Sequence, residues 1–522
     1  VSVRIGIDVG GTNTDAVILD EELRCIAKVK TATTDDVEEG IVTALSRVIR
    51  DGGVDPSRVQ YAMLGTTHCT NAVVERKRLN RVGVIRIGLP ATAAIQPMTG
   101  WPSDLKAALG EHGYLVPGGH EFDGRMIAPL GETEIRAALR RMEGQVDAVA
   151  ITSVFAPVSD CHEREAEAIV RAEWGDSVPV SLSHEVGSIG LVERENATIL
   201  NAALMRTAEQ VVRGFQQALE REGIRAPLFL GQNDGTLMSA DYARQYPILT
   251  IACGPTNSIR GAAHLSGYSE GLVVDVGGTT TDVGVLVKGF PRESAVAVEI
   301  GGVRTNFRMP DLLSVGLGGG TVVRGGAGAV TLGPDSVGYR LHQKARVFGG
   351  DTWTATDVAV AAGRIDWNGP QLKMPQKSAA EARWCEEAYQ RMVTTVEEAI
   401  DRMKTSAAPV PAILVGGGSV LLPDRLEGVS EVIRHGDYDV ANAIGAAIGQ
   451  VSGQVERVYS LSELSRSEAM EHAKKTAVGD AVKAGADPAT VTIVDVEDVP
   501  LAYLPGNAVR IRVKAAGTLQ QG

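Results

Sequence analysis

An α/β protein of more than one domain is predicted by three observations. The first is a near-repeat: Asp8-Val9-Gly10-Gly11-Thr12-Asn13-Thr14-Asp15 returns as Asp275-Val276-Gly277-Gly278-Thr279-Thr280-Thr281-Asp282, and one position of the eight differs. The second is the alternation of short apolar β-type runs with helical segments along most of the chain. The third is length, since 522 residues exceed what one core usually supports and two or three domains are expected.

Each copy of the repeat follows an apolar run (Val3 to Ile7, Leu272 to Val274) and precedes another (Ala16 to Leu19, Val283 to Val287), which reads as strand, tight turn, strand. Paired glycines let backbone approach a ligand closely and gather N–H groups into an anion-binding concavity, and the Thr hydroxyls add donors. Phosphate is the natural guest. The candidate contacts are Gly10, Gly11, Thr12 and Asn13 in the first copy and Gly277, Gly278, Thr279 and Thr280 in the second. Asp8 and Asp275 end their strands beside this turn, where a carboxylate can hold Mg²⁺ through water or orient an attacking water.

Composition is globular, with 44% hydrophobic and 22% charged residues. No run approaches the roughly 18 apolar residues of a membrane helix. The N-terminus enters the first strand without a charged and then apolar leader, so a cytoplasmic protein is expected. Five cysteines, an odd number with no Cys-x-x-Cys, argue for reduced thiols rather than a disulfide framework. A net charge of −13 argues against non-specific nucleic-acid binding.

In chain order, Cys25 to Lys30 reads as a third strand and Asp36 to Arg50 as a helix, capped by Asp35 or Asp36 and stopped by Gly52-Gly53. Tyr61 to Val73 leaves a strand and enters a helix through Thr66, Thr67 and Asn71, small polar residues suited either to capping or to ligand contact. His68 and Cys69 adjoin as a weak metal pair. Val82 to Ile87 is a strand, and the Pro- and Gly-rich stretch Gly88 to Gly124 reads as an irregular excursion. Glu132 to Met142 is a helix, Ala148 to Val154 a buried strand, Asp160 to Glu173 a helix on which His162, Glu163 and Glu165 read as a solvated charged face, and Val178 to Ser183 a strand.

A long helix from about Val192 or Glu195 to Glu222 should bridge two domains. Leu228 to Leu230 and Ile248 to Ala252 read as strands, the first leading to Asn233. The second delivers Cys253 to a helix N-terminus, where thiols become nucleophilic. After the second hairpin, Arg304, Arg308 and Asp311 lead to a glycine loop beginning Gly316-Leu317-Gly318-Gly319-Gly320, which lacks the third glycine of a dinucleotide fingerprint and is expected near the substrate. Ala379 to Thr405 is helical, Ala412 to Val415 is a strand ending in Gly416-Gly417-Gly418-Ser419, and Asp437 opens a small-residue helix. From about residue 455 a helix (Ser462 to Ala484) and two strands (Thr490 to Val494, Ala508 to Val513) read as a small C-terminal α/β module.

Paired Asp-Val-Gly-Gly-Thr hairpins, a linking helix, a strand ending in Gly-Gly-Gly-Ser and a final small-residue helix resemble the actin, sugar-kinase and heat-shock ATPase fold. The resemblance implies two actin-like (ribonuclease H-like) domains around a nucleotide cleft. The hairpins would grip the phosphates of ATP, Gly416, Gly417 and Gly418 would lie beside adenosine, and Asp8 and Asp275 would serve Mg²⁺ or water. Within that superfamily, Gly65-Thr66-Thr67 with Asn71-Ala72, Leu182-Ser183-His184-Glu185-Val186, Gly254-Pro255, the second hairpin and Gly318-Gly319-Gly320 resemble the hydantoinase A/oxoprolinase family. Cys253 stands where a Ser is common in that family.

The resemblance covers about residues 1 to 450 and implies domains at 1–195 and 196–454, with the tail at 455–522 read as a separate module outside it. It also implies ATP-dependent opening of a cyclic amide such as a hydantoin, 5-oxoproline or related lactam, by phosphorylation of its carbonyl oxygen. A second subunit of hydantoinase B type or another gene neighbour, and a homo- or hetero-oligomer, would accompany it. Substrate contacts are expected among Thr66, Thr67, Asn71, Asn233, Asp311 and Gly318. An acetone-carboxylase-like subunit and a non-catalytic nucleotide switch are the alternatives, separated by which compound raises ATP consumption.

Overall fold

The first copy of the repeat folds as predicted. β1 (Val3–Val9) and β2 (Asn13–Leu19) pair antiparallel with Asp8 opposite Asp15. β3 (Cys25–Ala32) continues the meander, α1 (Val37–Gly52) packs on it, and β4 (Val59–Thr66) returns parallel to β1. This computed structural model describes residues 2–11, 13–32, 37–294, 298–307, 309–326, 329–365, 378–462, 464–502 and 507–520. Thr12, Arg308 and the helix cap expected at Asp35 or Asp36 lie outside them.

After α2 (His68–Glu75), β5 (Val82–Leu89), β6 (His112–Pro117), β7 (Ala148–Ser153) and β8 (Val180–Leu182) form an all-parallel sheet in the order β6-β5-β7-β8. Near-continuous apolar runs such as Val82 to Ile87 suit a sheet covered on both faces. α3 (Ser103–Leu109) packs on one face, and α4 (Glu132–Met142) and α5 (Cys161–Trp174) on the other. The excursion expected at Gly88 to Gly124 therefore contains a helix and a strand. Met98, Trp101, Leu105 and Leu109 are buried, and Trp101 Nε1 donates to Asn196 Oδ1 at 2.8 Å. The solvated face expected on α5 is also corrected, because His162 and Glu163 are buried.

The short α6 (Ser183–Val186) leads into α7 (Leu191–Arg221), the bridging helix. Its first half packs with the parallel sheet, and Val212, Phe215 and Leu219 of its second half pack with the first sheet. β9 (Leu228–Gly231), β10 (Leu237–Ser239) and α8 (Ala240–Gln245) follow. The strand expected at Ile248 to Ala252 is instead a 3₁₀ turn, Pro247–Thr250, because Pro247 opens it, Thr250 Oγ1 donates back to the Pro247 carbonyl at 2.7 Å, and Ala252 takes a left-handed φ of 64°. α9 (Cys253–Ser266) starts there.

The second copy repeats the first. β11 (Gly271–Val276) and β12 (Thr281–Val287) pair antiparallel with Asp275 opposite Asp282, and β13 (Phe290–Pro291) continues from β12. β14 (Val298–Ile300) and β15 (Val303–Thr305) form one ribbon, β16 (Leu312–Val315) joins β12, and β17 (Thr321–Gly326) with β18 (Ala329–Ser336) forms another. Beyond α10 (Leu341–Lys344) and α11 (Ala355–Ala361), α12 (Ala379–Met403) begins at a Ser378/Glu381 capping box and packs on this sheet. β19 (Val410–Val415) returns parallel to β11, as β4 does to β1, and β20 (Val429–Ile433) adds to it.

α13 (Ala441–Ala447) covers the first sheet through Ala443, Ile444 and Ala447, while α9 covers the second through Ile259 and Ala262. The two helices pack against each other between the sheets at backbone contact. A Cβ on Gly261 would stand 1.8 Å from the Ala441 carbonyl oxygen, and one on Gly445 1.8 Å from that of Asn257. The expected C-terminal module is corrected. β21 (Val451–Ser460), β22 (Thr492–Pro500) and β23 (Ala508–Gly517) extend the first sheet, whose order is β22-β23-β21-β10-β9-β4-β1-β2-β3. α14 (Arg466–Lys483) lies on them through an alanine stripe of Ala469, Ala473, Ala477 and Ala481, which belongs to the core of the first sheet.

Candidate active site

The two turns close with the same hydrogen bond. Gly10 N–H donates to the Asn13 carbonyl at 2.9 Å, and Gly277 N–H to that of Thr280 at 2.9 Å. Each aspartate also has the same neighbour, a glycine where the parallel strand ends. A Cβ on Gly65 would lie 2.2 Å from Asp8 Oδ1, and one on Gly416 2.2 Å from Asp275 Oδ1. Any larger residue at either glycine would occupy the space of the carboxylate.

The helix pair ties the halves together. Adjacent residues of α9 reach different hairpins: Asn257 Nδ2 donates to Asp8 Oδ1 at 3.4 Å, and Ser258 Oγ donates to Asp275 Oδ2 at 2.5 Å. From α13, Asn442 Nδ2 donates to Asp8 Oδ2 and to Asp15 Oδ2, both at 3.0 Å. Lys30 Nζ pairs with Asp15 Oδ1 at 2.5 Å.

Carboxylates dominate the electrostatics. Burial pushes Asp8 up to about 6, Asp15 and more weakly Asp275 add to the rise, and Asn257 and Asn442 oppose it. Asp282 is also pushed up to about 6, by burial first and then Asp275, with Ser314 opposing. Asp15 and Asp275 are raised by burial as well, opposed by Lys30 and Ser258 respectively. Acids that resist ionisation for want of compensating charge form a site that a divalent cation would stabilise. Among the described residues these carboxylates do not converge as three direct ligands of one ion.

The remaining expected residues divide. Thr66 pairs in register with Val9, and Thr67 Oγ1 donates to the Val9 carbonyl at 3.2 Å, so both adjoin the first hairpin. Asn71 Nδ2 donates to Thr67 Oγ1 at 3.4 Å from an exposed position. The glycine loop at Gly318 lies against the second hairpin: Gly319 N–H donates to the Gly277 carbonyl at 3.0 Å and Gly320 N–H to that of Gly278 at 2.7 Å. Gly418 N–H donates to the Val276 carbonyl at 2.8 Å, so the Gly416 to Gly418 turn supports the same hairpin. Asn233 is buried, its N–H donating to the Leu249 carbonyl at 2.8 Å. Asp311 is engaged by Arg292 through Nε and Nη2 at 2.9 and 2.6 Å.

Two sequence ideas are corrected. Cys253 is buried, and burial pushes its thiol up to about 12, the reverse of an activated nucleophile; its Sγ donates to the Thr66 carbonyl at 3.3 Å. His68 bonds Thr66 Oγ1 through Nδ1, Cys69 is a buried thiol, and neither belongs to a metal-type cluster among the described residues. Asn257, Ser258 and Asn442 were not singled out from sequence. Their signal was a polar side chain on a helix otherwise made of small and apolar residues, the pattern of a buried polar group with a designated partner.

Fold and site together define a class: α/β proteins in which two mixed sheets each present a glycine hairpin and a buried aspartate to a shared pair of packed helices. The crystal structure of the ATP-dependent caprolactamase from Pseudomonas jessenii has this fold, with a TM-score of 0.80 at 19% identity over 99% of this chain and 88% of that one. A nucleotide-free acetone carboxylase structure matches with a TM-score of 0.68 at 17% identity over 100% of this chain and 88% of that one. The chain belongs to the hydantoinase/oxoprolinase family. Its N-terminal region model matches residues 4–174 and its hydantoinase/oxoprolinase model residues 194–408.

Among curated relatives, the acetophenone carboxylase gamma subunit of Aromatoleum aromaticum and the caprolactamase subunit alpha of Pseudomonas jessenii are each 28% identical over 69% of this chain, covering 53% and 54% of their own lengths. The 5-oxoprolinase 1 of Arabidopsis thaliana is 23% identical over 89% of this chain and 43% of its own length. The chain thus spans about half the length of the curated relatives it matches. No helix among the described residues is long and apolar enough to cross a membrane.

Proposed function

We propose that this chain uses ATP to open a cyclic amide, a hydantoin, 5-oxoproline or a related lactam, on an actin-like two-domain scaffold. The observation that carries the reading is the pair of matched hairpins whose aspartates are held from adjacent positions of one helix. A neutral amide is a poor electrophile. Its carbonyl oxygen attacks the γ-phosphorus, the bond to ADP breaks, and the oxygen becomes a leaving group. One water then adds to the carbon, the C–N bond breaks with a proton passing to the amine, and a second water releases phosphate from the resulting acyl phosphate.

In this reading Gly10, Gly11, Thr12 and Asn13, with Gly277, Gly278, Thr279 and Thr280, hold the phosphates. Gly416, Gly417 and Gly418 flank adenosine. Thr66 and Thr67, at the end of β4, and Asn71, on α2, face the amide. Asp8 and Asp275 hold Mg²⁺ through water, and the cation supplies positive charge to the transferring phosphoryl group. Relatives named as subunits support a second subunit, and the reading takes it to be of hydantoinase B type or another gene neighbour, in a cytoplasmic oligomer.

The likeness to acetone carboxylase and to an acetophenone carboxylase subunit favours one second reading, in which the same transfer falls on an enol or bicarbonate oxygen. Phosphate release from ATP·Mg²⁺ decides. It is measured against hydantoins, oxoproline, lactams, ketones and bicarbonate, with and without the gene-neighbour protein. Release stimulated by a cyclic amide and abolished in Asp8→Asn and Asp275→Asn supports ring opening. Stimulation only by a ketone with bicarbonate selects the carboxylase reading, and no consumption with any compound leaves a nucleotide-switch scaffold.

A further inference from the structure

The parallel sheet β6-β5-β7-β8 carries a cluster that the hairpins do not use. Its chain order runs from β5 outward to β6 and then back across β5 to β7, so the strand order reverses between β5 and β7. In open α/β sheets ligands bind outside the carboxyl ends of the strands at such a reversal. His120, Cys161 and His162 lie at this edge: His120 follows β6, its N–H donates to the Val154 carbonyl just after β7 at 3.2 Å, and Cys161 and His162 open α5.

Their ligand atoms all lie within 4.8 Å of one another. Cys161 Sγ is 3.4 Å from His120 Nε2, close to the N···S edge of about 3.5 Å that tetrahedral zinc distances require. Ser159 Oγ stands 3.3 Å from Cys161 Sγ and 3.5 Å from His120 Nε2, at a further corner. His120 is 4% exposed and His162 2% exposed, and their rings lie tilted at 44° with centroids 4.5 Å apart. His120 Nδ1 is buried without a hydrogen-bond partner, so either tautomer leaves a lone pair or a proton unused. His162 Nδ1 accepts the Gly119 N–H at 3.0 Å, and a cation taking that nitrogen would displace this bond.

We propose that His120, Cys161 and His162 form a binding site for a zinc-class divalent cation, with Ser159 or water completing the tetrahedron. Two imidazoles and one thiolate are the donor set that such a borderline-soft ion selects over Mg²⁺. Binding replaces the Cys161 S–H bond with a sulfur–metal bond and releases one proton to solvent. The cation would staple the segment after β6 to the first turn of α5. The site is independent of the ATP reading, since Mg²⁺ gives no thiolate charge-transfer absorption.

The test is titration of the chelator-treated full chain with Co²⁺ and with Zn²⁺. One equivalent should bind, with thiolate-to-Co²⁺ absorption in the near ultraviolet that Zn²⁺ displaces. Cys161→Ser should lose that absorption, and His120→Ala should weaken Zn²⁺ uptake about a hundredfold or more, beyond the loss typical of a residue behind a ligand. Cys25→Ser, a thiol elsewhere in the fold, should keep both. Absence of the absorption from the unmutated chain overturns the site, as does its persistence in Cys161→Ser.

Discussion

Asn442→Ala tests whether the aspartates act as ionised groups. Asn442 donates one N–H to Asp8 and one to Asp15, each at 3.0 Å, and opposes the rise that burial imposes on Asp8. A hydrogen bond to a charged group contributes about 1.5 to 3 kcal/mol, and one pH unit corresponds to about 1.4 kcal/mol. Removing the donor disfavours the ionised form, so the acidic limb of the pH–rate profile should move upward by about one to two pH units. With Asp8 near 6, about nine-tenths is ionised at pH 7. The same shift leaves between about a half and a tenth ionised, a two- to tenfold loss of phosphate release at pH 7 that recovers toward pH 9. The assay is steady-state phosphate release from ATP·Mg²⁺ between pH 5.5 and 9.5. A uniform loss at every pH, with the limb unmoved, would refute the argument and make Asn442 a packing residue.

Three further outcomes follow from the same geometry. Gly65→Ala and Gly416→Ala should each abolish phosphate release while the chain still folds, since each new Cβ would stand 2.2 Å from an aspartate oxygen, whereas Gly436→Ala, which meets no atom within 4 Å, should behave as unmutated protein. An acid whose folded value lies above its unfolded one opposes folding once ionised, a cost absent below the unfolded value of 3.8 and complete above about 6. Asp8→Asn should therefore raise the apoprotein's Tm at pH 7.5 by removing a cost of at most about 3 kcal/mol, converge with the unmutated chain near pH 4, and lose turnover. Cys253→Ser should retain phosphate release within about twofold, because its hydroxyl can donate to the Thr66 carbonyl as the thiol does. Loss of turnover there without loss of fold would restore Cys253 as a nucleophile.

The hairpins were legible because their signal is local: two glycines, flanking β-type runs and an aspartate one strand-end away. The α7 bridge and the α/β alternation were legible through periodicity over long windows. The sheet to which a strand belongs was not. β22 and β23 read as a module by position in the chain, yet they join the first sheet through β21, a strand not read from the sequence, which pairs with β23 and with β10. α3 is a seven-residue helix, too short for period alone to separate from a loop, and tertiary burial of Leu105 and Leu109 defines it. The Ile248 to Ala252 error has the same origin, a short apolar run whose type Pro247 decided. In the site, Asp8 and Asp275 were readable, but their donors come from α9 and α13, far apart in sequence, and only packing brings Asn257 and Asn442 to one carboxylate.

The arrangement of those donors bears on how the site assembles. Asn257 and Ser258 are consecutive on α9, separated by a rise of about 1.5 Å and a turn of about 100°. They hold aspartates that belong to different sheets. One helix thus holds an aspartate of each half. Backbone contact at Gly261 and Gly445 holds that helix against α13, which brings Asn442 to the same carboxylate. A side chain at either glycine would push the helices apart and separate the aspartates from their donors together. The two halves are thus coupled through the backbone contact of α9 with α13.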